Sequence, residues 1–365
     1  MRKYEEYQNK FESALVETFP DIASTGRVTR DQIATVKEKY AFPKNPGWIL
    51  RNTVGRGLYA IRSTPQDQEE KVMAFKSQTP TISMVPAKDP NFVPFGNFND
   101  LESIIKSAIF YPAFVTGPTG NGKSTMIEQI CAKHNRNLIR VNLHRGTDED
   151  QLVGSKTLVD GNVEIVEGPL LIAMRTGSVI LLDELDAADC NNIMCLQSIL
   201  EGKPYYFKLK NEIITPAPGF NVIATGNTKG KGSEDGRYIG TNILNEAFLE
   251  RFAVTFEQEY PSSAVEKKIV KNLMDHYKCV NEEFAELLVK WADAIRKTFD
   301  DGGVDETITT RRVGHIIRAY SIFKNESKAI ELCCNRFDIN TKSAFIDLFE
   351  KMKNPTEVNE EQIPF

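Results

Sequence analysis

Gly117-Pro-Thr-Gly-Asn-Gly-Lys-Ser124 decides the fold of this chain. It satisfies the pattern GxxxxGK[ST] at every fixed position, follows the apolar run 113–115 and opens a helical stretch over 124–131. A strand, a glycine loop and a helix in that order mark a phosphate-binding loop. The glycines let backbone N–H groups turn towards the phosphates, and the helix N-terminus favours their negative charge. On this reading Lys123 reaches the β- and γ-phosphates of a nucleoside triphosphate, and Ser124 offers its hydroxyl to Mg²⁺. Gly117, Pro118, Thr119, Gly120, Asn121, Gly122 and Thr125 complete the nucleotide-binding surface.

Working outward, residues 178–186 read Ser-Val-Ile-Leu-Leu-Asp-Glu-Leu-Asp, an apolar strand that ends in consecutive carboxylates. Asp183 is placed to hold Mg²⁺ through water. Glu184 is placed to orient and deprotonate an attacking water, because phosphoryl transfer needs positioning more than covalent chemistry. The alternative, a buried strand with a polar end, does not account for the phosphate loop upstream. From residue 99 onward strands and helices alternate, with apolar strand candidates at 113–115, 138–141, 179–182 and 221–224. That alternation is the signature of a parallel sheet with crossover helices, and the fold class is α/β. After Pro261 only helical periodicity remains, over 264–277, 282–298, 311–323 and 339–352. The expected organisation is therefore a sheet core over 99–260, a helical lid over 261–352 and a polar tail over 353–365.

Upstream, residues 1–78 predict a small, mainly helical unit, compatible with a winged-helix-like module. Phe11, Leu15, Val16 and Phe19 recur at helical spacing, and Thr29 with Gln32 reads as a capping box opening a second helix to Tyr40. Pro43, Pro46 and Gly47 break that helix, and a short segment follows through Trp48 to Ile61. The unit is only slightly basic, which favours a docking or structural module over DNA contact. Residues 79–98, with Pro80, Pro86, Pro90 and Pro94, predict an extended linker or clasp.

The 365 residues are 41% hydrophobic, enough for two or three cores, and the net charge is −5. No basic block announces nucleic acid or an anionic membrane, and no apolar run reaches the length of a membrane span. Residues 1–10 are polar and predict no signal peptide, so a cytoplasmic location is expected. The six cysteines form no CxxC pair. Cys131 and His134 lie three apart in a predicted helix, but reduced structural thiols are the better reading.

The phosphate loop and the Asp183-Glu184 strand together resemble the AAA+ ATPases, which implies ATP and Mg²⁺ as ligands. That resemblance also implies a polar residue at the end of the next strand. Asn221-Val-Ile-Ala-Thr-Gly-Asn227 supplies Asn227, able to bond the lytic water or the γ-phosphate. Arg251, after a short helix, suits a finger reaching the nucleotide of a neighbouring subunit; a surface ion pair with Glu250 or Glu246 is the alternative. Arg311, at the start of a lid helix, suits a second sensor of the γ-phosphate, and Arg312 beside it leaves the choice open. A finger acting in trans implies a ring, with a hexamer as the expected size.

Within the AAA+ proteins the chain resembles the MoxR-like group, which includes the ATPase subunits of magnesium and cobalt chelatases. Gly168-Pro-Leu170, Ala173, Gly177 and the Asp183-Glu184 strand carry that resemblance. The loop 227–241, with Gly230, Gly232, Gly236, Gly240 and Tyr238, is similar to the CobS-type subunit of cobaltochelatase, as are Asn245 and Glu250-Arg251-Phe252. The likeness runs from about residue 141 through Thr310-Arg-Arg-Val313, roughly two thirds of the chain. Leu185, Glu250 and Phe252 depart from the aromatic, aspartate and tryptophan usual there, and residues 1–78 do not resemble the CobS N-terminal segment. Two inserts read as hairpins, 154–167 and 203–215, facing either a central pore and partner or the neighbouring subunits.

The resemblance implies a ring ATPase that remodels a partner complex, with metal insertion by a separate chelatase subunit as the specific case. A MoxR-type chaperone acting on a protein with a metal-ion-dependent domain is the second expectation. A nucleic-acid motor is the third, disfavoured by the mild charge of residues 1–78.

Overall fold

The computed structural model describes residues 2–43, 46–51, 53–55, 57–61, 84–159, 162–232 and 240–354. The chain forms two compact units, Met1–Ile82 and Ser83–Phe365.

In the first unit, helices α1 (Arg2–Thr18), α2 (Asp21–Thr25), α3 (Arg30–Lys39) and α4 (Gly47–Leu50) accompany strands β1 (Arg27–Thr29), β2 (Thr53–Gly55) and β3 (Leu58–Ala60). The short segment after the helix break holds an antiparallel hairpin, β2–β3, and β1 joins it on the other side of β3. The capping box is present: Thr29 N–H donates to Gln32 Oε1 at 2.8 Å, and Gln32 N–H to Thr29 Oγ1 at 3.3 Å. Phe11, Leu15, Ile22, Val28, Ile33, Val36 and Ile49 form the buried core of this unit.

The second unit is an α/β domain with a helical lid. It begins with residues 84–97, which run along its surface without regular structure. Leu138 N–H donates to Met84 O at 2.9 Å, and the Gln129 side chain bonds Ala87 O and Asp89 N–H. Phe92 packs on Phe98 at a ring separation of 5.7 Å. This described part of the proline-rich stretch is thus strapped to the unit.

Helix α5 (Phe98–Ser107) leads into β4 (Ala113–Thr116), followed by α6 (Lys123–Lys133), β5 (Leu138–Asn142) and α7 (Glu149–Leu152). A hairpin of β6 (Gly154–Val159) and β7 (Asn162–Glu167) separates α7 from α8 (Pro169–Thr176) and β8 (Val179–Asp183). Helix α9 (Leu196–Leu200) precedes a second hairpin, β9 (Tyr205–Phe207) and β10 (Glu212–Ile214), and then β11 (Asn221–Gly226). Helix α10 (Glu246–Leu249) and β12 (Val254–Glu257) complete the core. The lid follows as α11 (Ser263–His276), α12 (Glu282–Asp300), α13 (Thr310–Phe323), α14 (Glu326–Cys334) and α15 (Ile339–Lys353).

The central sheet is parallel and five-stranded, in the order β12-β4-β11-β8-β5. Four of these strands are the apolar runs legible in the sequence. β12 is the addition: it is an edge strand whose residues alternate between half-buried and exposed, so its composition lacks the continuous apolar run of the buried strands. β4, β8 and β11 are buried along their whole length, with helices covering both faces. Parallel pairing brings their C-terminal ends to one edge, where ligand crevices of such sheets lie. Register then aligns the chemistry: Thr116 faces Gly226, and Asp183 faces Asn142. Among the described residues no helix is long and apolar enough to cross a membrane.

Candidate functional site

The glycine loop leaves β4 at Thr116 and enters α6 at Lys123. Gly117 sits at φ +142°, where a Cβ would lie 2.1 Å from Gln258 O, so only glycine fits between the loop and the end of β12. Gly120, at φ +67°, has Thr309 of the lid at 2.8 Å from the position of a Cβ. Asn121 is buried and donates to Gln258 O at 2.5 Å. The loop is therefore braced from the sheet on one side and from the lid on the other.

Lys123 is 7% exposed, and its ammonium donates to Gly117 O (2.8 Å), Pro118 O (2.9 Å), Asn121 Oδ1 (3.3 Å) and Asn227 Oδ1 (3.2 Å). Burial lowers its pKa to about 8, against the opposing pull of Asp186 and Asp183. Ser124 Oγ donates to Asp183 Oδ1 at 2.8 Å. A hydroxyl and a carboxylate oxygen at that spacing are hard donors that fit Mg²⁺, which normally keeps several waters and substrate oxygens besides. Thr225 Oγ1 also bonds Asp183 Oδ1, and Arg140 reaches Asp183 Oδ2. Among the described residues no cluster of three His, Cys, Asp or Glu side chains forms a protein-only metal site. Cys131 is buried with its thiol pushed up to about 12 by desolvation, while His134 bonds Glu102 at 2.6 Å, so the two are not a ligand pair.

Glu184 is exposed and takes the left-handed conformation, φ 60° and ψ 47°, with its N–H on Thr225 Oγ1 at 3.2 Å. A non-glycine residue in that region costs about 1–2 kcal/mol, strain of the kind stored at functional sites. The turn lifts the Glu184 side chain out of the buried strand that carries Asp183.

Sequence reasoning missed Asp186. Its fully buried carboxylate accepts through Oδ2 from Asn227 N–H (2.8 Å), Thr228 N–H (2.8 Å) and Thr228 Oγ1 (3.0 Å). It thereby holds the turn that presents Asn227 to Lys123. Its backbone carbonyl accepts from Asn242 N–H at 2.6 Å, and Asn242 Nδ2 bonds Ala187 O and Ala188 O. The return of the glycine loop is thus tied to the same point. Gly230, Gly232 and Gly240 all have positive φ, whereas Gly236 and Tyr238 lie outside the described residues. Arg140 and Thr225 were missed too, because a lone arginine or threonine on a strand carries no motif.

The two lid arginines part company. Arg311 N–H donates to Gly120 O at 3.1 Å, and the Arg311 charge opposes that of Lys123, so two cations converge on the loop. Arg312 lies by His315 and the Cys333–Cys334 pair; burial first, then the arginines, lowers the His315 pKa. Arg251 does not bond the glycine loop in the subunit: it pairs with Glu201 at 2.9 Å and also donates to Ala247 O. The ion-pair partner is therefore Glu201 rather than Glu250 or Glu246. The base of the first hairpin is tied to the turn end of the second, where Arg175 bonds Glu167 and Glu212, and Lys210 bonds Glu167 at 2.8 Å.

A family model described as AAA domain (dynein-related subfamily) matches residues 112–252. The chain is 30% identical over 235 residues to the aerobic cobaltochelatase subunit CobS of Sinorhizobium sp, covering 63% of this chain and 70% of CobS. It is 31% identical over 205 residues to an uncharacterised protein of Staphylococcus epidermidis, covering 54% of this chain and 72% of that one. Among solved structures, the Thermotoga maritima RuvB Holliday junction branch migration motor is similar at 16% identity and a TM-score of 0.42, over 71% of this chain and 74% of that one. The glycine loop braced by sheet and lid, the Asp183-Glu184 strand end, the family match and the similarity to CobS make this chain a member of the AAA+ ATPases, with the CobS subunit of cobaltochelatase among its relatives.

Proposed function

We propose that the chain binds MgATP on the loop 117–125, hydrolyses it between subunits of a ring, and uses the cycle to remodel a separate protein complex. The observation that carries this reading is the convergence of Lys123, Ser124, Asp183, Asn227 and Arg311 on one loop at the C-terminal edge of the sheet. Lys123 exchanges its bonds to Gly117 O and Pro118 O for the β- and γ-phosphates. Ser124 and Asp183 hold Mg²⁺, which when bound neutralises charge on the phosphates. Glu184 orients the water and takes its proton, and Asn227 fixes the water or the γ-phosphate. Arg311 senses the γ-phosphate from the lid.

Arg251 serves the neighbouring subunit's nucleotide, leaving Glu201 when the ring, a hexamer on this reading, assembles. The hairpins carry the output, since Leu158 and Val163, a cross-strand pair on the first, and Tyr206 and Ile213, a pair on the second, are all exposed apolar residues. The likeness to CobS supports a specific client, a chelatase subunit that inserts a metal into a corrin-type ring.

The test uses the Glu184→Gln protein, locked with ATP, as bait in lysate of its native cell. Co-purifying material is identified by mass spectrometry and tested for nuclease sensitivity. Recovery of a chelatase-sized protein supports metal insertion. A different protein client, such as one with a metal-ion-dependent domain, or nucleic acid keeps the ATPase and removes the chelatase reading.

A further inference from the structure

Tyr260, just after β12, donates its hydroxyl to Thr119 O of the glycine loop at 3.0 Å. The Arg296 guanidinium lies over the Tyr260 ring, 4.4 Å from its centroid. Arg296, on α12, is buried and forks onto Glu266 of α11, with bonds of 2.7 and 2.8 Å, while its Nε donates to Ile308 O at 2.7 Å. Glu266 is buried as well, and its Oε1 also accepts from Thr310 Oγ1 at 2.9 Å. The segment leading into α13 is therefore pinned residue by residue. Ile308 is held through its carbonyl, and Thr309 packs on Gly120. Thr310 is held through its hydroxyl, and Arg311 through its N–H on Gly120 O.

A pair of buried charges is a poor choice for stability alone, since apolar residues of like volume often do as well. What the pair provides is direction: a planar fork and a carboxylate accept only one arrangement of their neighbours. Successive residues of a helix point about 100° apart, so a rotation of α13 by about that angle would present Arg312, and a smaller one neither arginine, to the loop. We infer that Glu266 and Arg296 are positioning residues that set the register of α13, so that Arg311 and not Arg312 meets the nucleotide, with Tyr260 linking the same pair to the loop tip. This inference rests on the reading of Arg311 as the lid sensor.

The test is a double-mutant cycle in the full chain, because breaking the buried pair itself risks unfolding the lid. Thr310→Val removes one hydroxyl and its bond to Glu266 at nearly constant shape. Turnover, triphosphate affinity and thermal unfolding are measured for Thr310→Val, Arg311→Ala and the double variant. The expected result is a loss of about tenfold to a hundredfold in kcat for Thr310→Val, the scale of one hydrogen bond to a charged group. The double variant is then no worse than Arg311→Ala, and Thr310→Ser restores turnover. Equal losses from Thr310→Val with and without Arg311, or no loss at all, overturn the inference while Arg311→Ala still tests the sensor. If Arg311→Ala turns over normally, the sensor reading fails and the inference falls with it.

Discussion

Truncating Asp186 to alanine removes an acceptor that three donors share inside the core. Two of the donors are backbone N–H groups, those of Asn227 and Thr228, and the third is a hydroxyl that rotates to a new partner at little cost. Leaving a buried donor unpaired costs about 1–3 kcal/mol. Asn227 and Thr228 are half-buried, so water reaches the turn and the lower figure applies to each N–H. Oδ1 of Asp186 has no hydrogen-bond partner, and removing that desolvated oxygen gives back part of the loss. The net expectation is about 2 kcal/mol lost, or a fall of about 4–8 °C in Tm for a unit of this size. The larger effect is on turnover, because Asn227 is no longer held beside Lys123. We expect kcat to fall at least about tenfold while ADP affinity changes less than about threefold, as an interaction used mainly in the transition state requires. Asp186→Asn keeps one oxygen for the same donors and should recover most of the Tm. Calorimetry, ADP titration and steady-state ATP hydrolysis on the two variants decide the matter. If Asp186→Ala unfolds at the wild-type temperature and turns over ATP at the wild-type rate, the turn is held by something else and the reasoning is wrong.

Four further outcomes are expected. Lys123→Ala should abolish nucleotide binding, whereas Glu184→Gln should retain ATP with kcat reduced by at least about a hundredfold, read by filter binding and phosphate release. Arg251→Ala should bind ATP but not hydrolyse it, and mixing it with Glu184→Gln subunits should restore activity; absence of rescue counts against a finger in trans. Arg311→Ala should weaken ATP relative to ADP, while Arg312→Ala, about 100° round α13 from it, should leave the ratio unchanged in competition titrations. Burial lowers the Lys123 pKa to about 8, so its charge is present below that pH and lost above it. Phosphate favours the charged form, so ADP affinity should be flat to about pH 8 and fall above it by up to about tenfold per unit, with proton uptake on binding. An affinity that stays flat from about pH 7.5 to 9.5 would refute a lysine that both titrates near pH 8 and binds the phosphates.

The residues legible from sequence alone were those whose chemistry demands fixed types at fixed local spacing. A phosphate loop needs glycines at Gly117 and Gly122 and a lysine directly before Ser124, and all lie within eight residues. Asp183 and Glu184 were legible for the same reason, as carboxylates ending a continuous apolar strand. The three buried strands and the edge strand β5, which opens with Leu138-Ile139, announced themselves by composition, whereas β12 escaped because Thr255 and Glu257 alternate with Val254 and Phe256 and leave no apolar run to read.

Everything that depends on distant segments meeting was left to the tertiary structure. Asp186 looked like one more polar residue after a strand; its role comes from Asn227 and Thr228, about forty positions away, which pairing of β8 with β11 brings alongside. Arg140 and Thr225 gain their meaning only because β5 and β11 flank the strand that carries Asp183. Arg311 and Arg312 are equivalent in sequence, and what separates them is the rotation of α13, held by Glu266 and Arg296 and docked on Gly120. Local spacing is set by covalent geometry and is therefore written in the chain. The choice among equivalent side chains is made by packing between segments far apart in sequence, and exists only once the sheet and lid have closed around the loop.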